Sequence, residues 1–340
     1  MTNYNLPYHG DKELSNYSFL VTGGAGFIGT NLVEYLLKYG AGHVRVLDNF
    51  STGLRENIDR FFLHNNFELI EGDIRDYDTC KMAVKGMDFV LHQAALGSVP
   101  RSITDPVTTN EVNISGFLNV MLASSKENIK RVVYAASSST YGDSAELPKV
   151  EERIGKPLSP YAITKYVNEL YASVFADVFN LETIGLRYFN VFGKRQTPEG
   201  AYAAVIPKFV KQLMNYESPV INGDGSTSRD FTYIDNVVQM NIKAALTDDL
   251  IAVNQVYNVA VGERTTLNEL IHLLKKYLTE IDPQIQNVQI KYGPERPGDI
   301  AHSLASIDKA VRLLDYQPHY NIAQGLQEAI HWYAREQQAS

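Results

Sequence analysis

The sequence predicts an α/β protein built on a doubly wound parallel sheet, with a smaller second unit. Three observations lead to this fold class. Short, nearly continuous apolar runs alternate with helical patterns through the first half of the chain, and a glycine-rich turn directly follows the first run. Parallel strands buried under helices on both faces have such runs. The length of 340 residues leaves room for the second unit.

The strands are assigned from runs rich in β-branched and aromatic residues. A helix is predicted at 31–39, after the glycine turn. Two longer helical segments, at 106–127 and 161–179, are mostly apolar on one side, which suits packing on the sheet or on a partner subunit. The six predicted strands span 17–22, 44–48, 67–73, 89–93, 131–136 and 183–188.

After Gly193 the alternation becomes less regular. Thr266 and Glu269 fit a capping box, in which each side chain satisfies a backbone amide of the other residue. An amphipathic helix is therefore predicted from there through Lys276. Glycine-rich and polar stretches separate the shorter elements of this half, at 193–202, 222–230 and 292–299.

Composition and charge exclude several classes of protein. With 31 Lys and Arg against 39 Asp and Glu, the formal charge is −8, which argues against a nucleic-acid partner. Cys80 is the single cysteine, so an internal disulfide and a multi-cysteine zinc site are excluded, and the histidines form no metal-binding pattern. No uncharged apolar run reaches membrane-spanning length, and the first residues do not read as a signal peptide. We therefore expect a soluble, cytoplasmic protein without a membrane partner.

The glycine turn predicts a dinucleotide site on a Rossmann-type sheet. Gly23, Gly26 and Gly29 lie between a strand and a helix, where glycine lets backbone N–H groups and the helix N-terminus approach a pyrophosphate. Asp48 ends the second strand, where its carboxylate can accept both hydroxyls of an adenosine ribose. That carboxylate would repel a 2′-phosphate, and no arginine follows it at Asn49 or Phe50. The predicted cofactor is therefore NAD rather than NADP.

The ends of the next two strands fit the same crevice. Asp73 could meet the adenine amino group, and the small side chains after Gln93 let a cofactor lie close to the backbone. An ordinary strand terminus is an equal alternative at each place. With the neighbouring residues of these loops, the further predicted cofactor contacts are Phe27, Ile28, Asn49, Ser51, Gly53, Asp73, Ile74, Gln93, Ala94, Ala95 and Val191.

Tyr161 and Lys165 give the clearest catalytic signal. Residues four apart share a helix face, so the hydroxyl and the ammonium would be neighbours. Lowering the pKa of a tyrosine from about 10 to about 7 needs roughly 4 kcal/mol, which we expect from Lys165 and a nicotinamide charge. Such a pair also arises by chance on protein surfaces. The serines at 137–139, directly after the fifth strand, favour catalysis, because a hydroxyl there can bond the same substrate oxygen.

These motifs resemble those of the extended short-chain dehydrogenase/reductases, and within them the bacterial UDP-N-acetylglucosamine/UDP-N-acetylgalactosamine 4-epimerases of surface-polysaccharide synthesis. The resemblance runs from about residue 19 to residue 333. It implies that Ser137 is catalytic, that Tyr161 is the base and that Lys165 is the lysine paired with this base. The matching stretches are GGAGFIG (23–29), LDNFSTG (47–53), EGDIRD (71–76), HQAALGSVPRS (92–102), SSSTYGD (137–143), SPYAITK (159–165), RYFNVFG (187–193), NGDGSTSRDFTYIDN (222–236) and RPGD (296–299).

The resemblance also implies UDP-sugar contacts and a homodimer formed by the helices at 106–127 and 161–179. Arg229 and Arg296 offer forked donors for a diphosphate, and Asp299 can accept ribose hydroxyls. The predicted substrate residues are Gly97, Ser98, Ser137, Ser138, Ser139, Tyr161, Asn190, Ala204, Val205, Asn222, Arg229, Arg296, Asp299 and Ser303. We divide the chain into a polar N-terminal extension (1–16), an NAD-binding Rossmann domain (17–193) and a UDP-sugar-binding domain (194–340).

The residues after Ser137 indicate the reaction. Related 4,6-dehydratases have Asp-Glu after the catalytic hydroxyl, and related decarboxylases keep a Glu, whereas this chain has only hydroxyl residues there. A 4-keto sugar would therefore be reduced again, which is epimerisation at C4.

The sugar preference is predicted from one position. Relatives restricted to glucose and galactose have a tyrosine where this chain has Ser303, and a serine leaves room for a 2-acetamido group, which Ser138 and Ser139 could bond. Close relatives often have an arginine where this chain has Ala301. The predicted substrates are UDP-N-acetylglucosamine and UDP-N-acetylgalactosamine. The alternatives are a UDP-glucose or UDP-glucuronate 4-epimerase, or a non-catalytic NAD-binding protein.

Overall fold

The structure, a computed structural model, describes residues 6–197, 204–295 and 301–339. The strands are β1 (Ser18–Thr22), β2 (His43–Asp48), β3 (Phe67–Glu71), β4 (Phe89–His92), β5 (Arg131–Ser137), β6 (Glu182–Tyr188), β7 (Val191–Phe192), β8 (Val220–Asn222), β9 (Ser228–Arg229), β10 (Thr232–Tyr233), β11 (Gln255–Val259), β12 (Thr265–Thr266) and β13 (Lys291–Gly293). The helices are α1 (Phe27–Lys38), α2 (Tyr77–Val84), α3 (Val99–Thr104), α4 (Pro106–Asn110), α5 (Phe117–Lys126), α6 (Pro160–Phe179), α7 (Val205–Met214), α8 (Ile234–Leu246), α9 (Leu267–Ile281), α10 (Asp308–Leu314) and α11 (Ile322–Ala339).

Within the described residues the main sheet has seven strands in the order β11-β6-β5-β4-β1-β2-β3. Every neighbouring pair in it is parallel. The predicted α/β fold class, a Rossmann-type doubly wound sheet, is therefore confirmed. The six predicted strands are present with bounds shifted by at most two residues, whereas β11 was not predicted.

Two apolar layers explain why the sheet is covered on both faces. Phe19 and Val21 of β1 pack in the layer that includes α1 and α8, and Leu20 packs in the opposite layer with α2 and α5. Successive side chains of a strand point to opposite faces, so a continuous apolar run fills both layers. This arrangement leaves the carboxyl ends of the strands free to form a crevice.

The helices differ from the predictions in three places. The helix predicted at 31–39 begins earlier, at Phe27, directly after the glycine turn. The segment predicted as one helix at 106–127 consists of α4, a π-helical stretch at Glu111–Gly116 and α5. Both hydrogen bonds of the predicted capping box are present at Thr266 and Glu269, and the helix that they open continues to Ile281.

The polar N-terminal segment, as far as it is described, packs on the body of the protein. Tyr8 is buried and stacks between the rings of Tyr35 and His319, at centroid distances of 5.5 and 6.0 Å. Leu14 is buried as well. In the described ranges, no helix combines the length and the apolar character that crossing a membrane requires.

Candidate active site

A cavity of about 390 Å³ lies at the carboxyl ends of the central strands. Every residue that the sequence assigned to the cofactor lines it, and the residues assigned to catalysis line it as well. The lining includes Gly23, Gly26, Phe27, Ile28, Gly29, Asp48, Asn49, Ser51, Gly53, Asp73, Ile74, Gln93, Ala94, Ala95, Ser137, Tyr161, Lys165 and Val191. The fold thus brings together side chains separated by up to 168 positions in the numbering (23 to 191).

The glycine turn is shaped for close approach. Gly23 has φ +69°, and a Cβ there would lie 2.7 Å from the Ala94 amide nitrogen. A Cβ on Gly29 would lie 2.1 Å from the Gly23 carbonyl oxygen. Gly26 precedes α1 and has no side chain to cap it, so the N–H groups of the first turn remain available to a ligand. This cradle fits the pyrophosphate of a dinucleotide.

Asp48 is held in place by the backbone around the turn. Its Oδ2 accepts the Ala25 N–H at 2.9 Å and its Oδ1 accepts the Phe50 N–H at 2.8 Å. Burial raises the pKa of this carboxyl, and the two amides oppose that rise. The carboxylate therefore sits at a fixed point at the end of β2, as recognition of ribose hydroxyls requires.

Ser137, Tyr161 and Lys165 converge where β5 meets α6. Ser137 is the last residue of β5, and Ser159 caps α6 by accepting the Ala162 N–H at 3.1 Å. Tyr161 is thereby fixed in the first helical turn. Lys165 lies one turn further on, with its Nζ 6.0 Å from the centre of the Tyr161 ring, and donates a hydrogen bond to the Ala135 carbonyl oxygen at 2.8 Å.

The groups of the protein alone do not lower the pKa of Tyr161, which was expected to fall through Lys165 together with a nicotinamide charge. Burial raises the pKa of Tyr161, and only the hydrogen-bonding interaction with the Ser137 hydroxyl lowers it. Lys165 is itself buried, which lowers its own pKa to about 8. The lysine is held on the β5 backbone, at the Ala135 carbonyl oxygen, so the low pKa predicted for Tyr161 depends on the nicotinamide charge as well.

Two further cavities adjoin the first. One, of about 340 Å³, is lined by Ala204, Val205, Asn222 and Arg229 among others. The other, of about 610 Å³, is lined by Ser138, Ser139, Arg229 and Ser303 among others, and we call it the sugar-side cavity. Asn190 lines all three, so it lies where they meet.

Asn190 and Ser303 are both held by the segment around β9. Asn190 has φ +35°, and its side-chain amide donates to the Asp230 carbonyl oxygen at 2.9 Å. The Ser303 N–H donates to the Ser228 carbonyl oxygen at 3.0 Å, and His302 shares a 2.9 Å hydrogen bond with the Ser228 hydroxyl. This pairing fixes one wall of the sugar-side cavity.

Three predicted substrate residues need separate comment. Ser98 lines none of the three cavities and instead caps α3, accepting the Arg101 N–H at 3.3 Å. Its predicted substrate contact stays a prediction. Arg296 and Asp299 lie outside the described residues.

Sequence reasoning missed several polar residues at the site. Asn113, in the π-helical stretch, accepts the Leu96 N–H at 2.7 Å and donates to the Thr164 hydroxyl at 3.2 Å, so it connects the cofactor cavity to α6. Asn113 is one of three asparagines in the segment 106–127, and no local pattern marked it. Lys149 and His302 line the sugar-side cavity, and no local pattern marked either. Across the described residues, no cluster of three or more His, Cys, Asp or Glu could hold a metal ion.

Known proteins resemble this chain over most of its length. The UDP-N-acetylglucosamine 4-epimerase of Methanobrevibacter ruminantium M1, in complex with UDP-N-acetylmuramic acid, is 39% identical with a TM-score of 0.87, over 94% of this chain and 99% of that one. The UDP-glucose 4-epimerase of Thermotoga maritima with UDP-glucose is 34% identical, with a TM-score of 0.85 and coverage of 94% and 99%. The UDP-glucuronic acid 4-epimerase of Bacillus cereus, with UDP-glucuronic acid and NAD, is 29% identical, with a TM-score of 0.83 and coverage of 94% and 99%.

The family assignment rests on a match that covers well over half of the chain. The model of the NAD dependent epimerase/dehydratase family matches residues 19–260, from β1 through β11. That range contains the glycine turn, Asp48, the serine run and the Tyr161–Lys165 pair described above. The chain therefore belongs to the NAD-dependent epimerase/dehydratase family.

Proposed function

We propose that this protein interconverts UDP-N-acetylglucosamine and UDP-N-acetylgalactosamine. The broader reaction class follows from the family and the similar structures: the chain is an NAD-dependent UDP-sugar 4-epimerase. The observation that carries the specific proposal is the sugar-side cavity, where Ser138, Ser139 and Ser303 lie together on a space of about 610 Å³. Activated amino sugars of this kind are what polysaccharide-forming transferases consume, consistent with a role in surface polysaccharide synthesis.

The residues at the first cavity have distinct roles in this proposal. The glycine turn and Asp48 would hold NAD, which when bound supplies a reversible hydride acceptor at C4 of the sugar. Tyr161 takes the proton of the C4 hydroxyl and returns it after the sugar has turned its other face. Ser137 donates a hydrogen bond to the oxygen of Tyr161, which favours the phenolate. Lys165, at a pKa of about 8, is cationic at neutral pH and stabilises negative charge at this end of the cavity.

Elimination of water is disfavoured by the residues present. It needs an acid and a base beside the sugar. Among the described residues, the lining of the sugar-side cavity contains no Asp or Glu. The polar groups that an oxidised sugar meets there are hydroxyls, the Asn190 amide, Lys149, Arg229 and His302, so reduction at C4 is the step that remains.

The small side chains favour a substituted sugar at C2. An acetamido group offers one N–H and one carbonyl oxygen, and serine hydroxyls can both donate and accept. Ser303 leaves space where a tyrosine ring would project. We assign the acetamido group to the region between Ser138 and Ser303.

A second candidate, an acidic UDP-sugar, is favoured by a different observation. Lys149 and His302 also line the sugar-side cavity, and a cation beside the sugar is what a carboxylate would call for. The similar Bacillus cereus enzyme binds UDP-glucuronic acid, and the similar Methanobrevibacter ruminantium enzyme binds UDP-N-acetylmuramic acid. UDP-glucuronate therefore belongs in any substrate test.

The test compares three substrates by proton NMR. Purified protein is incubated separately with UDP-N-acetylglucosamine, UDP-glucose and UDP-glucuronate, first without and then with added NAD. Formation of UDP-N-acetylgalactosamine much faster than either other product is the expected result. Faster conversion of UDP-glucose contradicts the acetyl preference, faster conversion of UDP-glucuronate favours the second candidate, and no conversion of any sugar contradicts the enzymatic proposal.

We also propose that the protein is a homodimer. Ile163, Leu170, Val174 and Val178 lie on one side of α6, with 49–66% of each residue exposed. Apolar side chains spaced in this way form a continuous stripe, which is costly to leave in water. A second copy of the same helix, packed antiparallel or crossed, would cover the stripe and match the dimer that the resemblance implies.

A further inference from the structure

The geometry points to Ser139 as a positioning residue that directs the proton of Ser137 toward Tyr161. This inference rests on the proposed function, because it assumes that Tyr161 is the base. It assigns Ser139 a task beyond the sugar contact that the sequence suggested. The argument depends on the hydrogen bonds around one oxygen, the Ser137 Oγ.

That oxygen is approached by two donors from the same residue. The Ser139 N–H points at Ser137 Oγ over 3.2 Å, and the Ser139 hydroxyl lies 2.8 Å from it. The contact arises because Ser137 has an extended backbone, with φ −151° and ψ 143°, and caps a short 3-10 turn at Ser138–Tyr141. An N-cap side chain accepts an amide from the turn that it opens.

A count of donors and acceptors settles the direction of the hydroxyl pair. A hydroxyl has one proton to give and two lone pairs to accept with. When Tyr161 acts as a base its phenolate oxygen can only accept, so Ser137 must donate to it. Ser137 can then only accept from Ser139, and its acceptor sites are filled by the Ser139 N–H and O–H. The order is Ser139 to Ser137 to Tyr161.

Such a chain makes the phenolate easier to form. Each hydroxyl polarises the next, so a donor to Ser137 strengthens the hydrogen bond from Ser137 to Tyr161. The Ser139 oxygen keeps its lone pairs and can accept a hydrogen bond from the sugar while it donates one to Ser137. Substrate contact and orientation of the catalytic hydroxyl are therefore compatible in one side chain.

Other titratable and charged groups lie around the site and must be considered in a pH experiment. Lys165 on α6 and His92 at the end of β4 lie on the cofactor side, and burial holds the pKa of His92 down to about 3, so it stays neutral. Lys149, Arg229 and His302 line the sugar-side cavity. All of them stay in place in the variants below, so differences between variants report on the serines.

The test uses Ser139→Ala with two companions. Ser139→Ala keeps the backbone amide and removes only the hydroxyl, Ser139→Thr keeps the hydroxyl, and Ser138→Ala removes the neighbouring hydroxyl. For Ser139→Ala we expect kcat at neutral pH to fall about 3- to 10-fold, as loss of one hydrogen bond predicts. The acid limb of its kcat–pH profile should move up by about half a pH unit or more. Ser139→Thr should restore both kcat and the position of the acid limb. Ser138→Ala should change KM without moving the acid limb.

A second readout does not depend on turnover. The difference in near-ultraviolet absorbance between each protein and its Tyr161→Phe counterpart follows ionisation of Tyr161 alone, although the chain has 21 tyrosines. Removal of the Ser139 hydroxyl should move this titration to higher pH.

The two readouts separate the inference from the proposed function. An unchanged Tyr161 titration in Ser139→Ala, or a change in KM alone, overturns the inference and leaves Ser139 as a sugar contact. If the unaltered protein converts no UDP-sugar, the proposed function fails by itself, and the titration still decides the role of Ser139.

Discussion

We propose that the sugar preference depends on Ser303. It lies on the wall of the sugar-side cavity, with its backbone N–H bonded to Ser228 on β9. Because its backbone is fixed, a larger side chain at this position must project into the cavity rather than swing away. We therefore expect the size of this side chain to decide which sugar fits.

Replacement of this residue tests the preference. We expect Ser303→Tyr to lower kcat/KM for UDP-N-acetylglucosamine at least about tenfold, because a clash of this size costs more than 1.4 kcal/mol, and to spare UDP-glucose. Ser303→Ala is the matched control, since it removes the hydroxyl but keeps the space, and it should keep the preference for the acetylated sugar. Equal rates for Ser303→Tyr and the unaltered protein on UDP-N-acetylglucosamine would show that this position is not the gate.

Asp230 is a second single residue with a testable effect, because it makes the free energy of unfolding depend on pH. It is fully buried and accepts N–H groups of Val261 at 2.9 Å, Gly262 at 3.0 Å and Ala305 at 3.3 Å. Burial nevertheless raises its pKa to about 6. The folded protein therefore holds this proton more tightly than the unfolded chain, where the pKa is near 3.8.

The sign of the effect follows from this difference. The contribution of Asp230 to the free energy of unfolding is full below about pH 4 and is lost as the pH rises to about 6, by about 3 kcal/mol at most. Asp230→Asn cannot titrate and should lack this loss. Urea unfolding of both proteins at about pH 4.5 and about pH 7 measures it. Parallel pH dependences would show that the carboxyl does not titrate in this window.

The residues of the site differ in how much of the sequence is needed to predict them. Gly23, Asp48 and Tyr161 could be placed at the site from the sequence because a short stretch around each one predicts its setting. These settings are a turn for Gly23, a strand end for Asp48 and a helix face for Tyr161. Lys149 reaches its cavity because its loop pairs with residues 304–306, next to Ser303. The low pKa expected for Tyr161 stays a prediction, because it depends on the nicotinamide charge as well as on Lys165, whose backbone partner lies on another element.

At the scale of elements, α6 carries catalysis on one side and the apolar stripe on the other. Lys165 is buried toward the sheet, whereas Val174 is 49% exposed. A single helix thus connects the proposed dimer contact to the candidate base. This arrangement allows the contact to be removed without touching the site directly.

A charge in the stripe tests the dimer. We expect Val174→Glu to shift the protein from dimer to monomer in sedimentation experiments, because two carboxylates would be buried against each other near the symmetry axis. Leu250→Glu, at a position 75% exposed on the loop after α8, is the matched control and should leave the assembly unchanged. A monomeric unaltered protein, or a dimer that survives Val174→Glu, would contradict the proposed contact.

The elements predicted best are those with strong local patterns. Six strands and the capped helix α9 were found because apolar runs and a capping box are visible in a few residues. The π-helical stretch was missed, since it depends on Asn113 meeting Leu96 and Thr164 from elsewhere in the fold. The strand β11 was missed because the less regular second half gives its short apolar run no partner helix pattern.

At the scale of the whole molecule, the sheet is not a property of the first half alone. Its last strand, β11, comes from beyond the predicted boundary at residue 193 and pairs with β6 over five residues. The C-terminal half therefore contributes the edge of the central sheet. The division predicted at 193–194 stays a prediction, and β11 crosses it to join the sheet of the first half.

The late arrival of β11 has a consequence for how the chain emerges from the ribosome. During synthesis, β6 is completed more than sixty residues before its partner strand β11 begins (188 to 255). Until then the growing chain presents an unpaired, largely apolar strand edge, which is the kind of surface through which nascent proteins stick to one another. A fragment that stopped after residue 193 would keep that edge permanently, so the first half of this protein depends on its second half to remain free of aggregation.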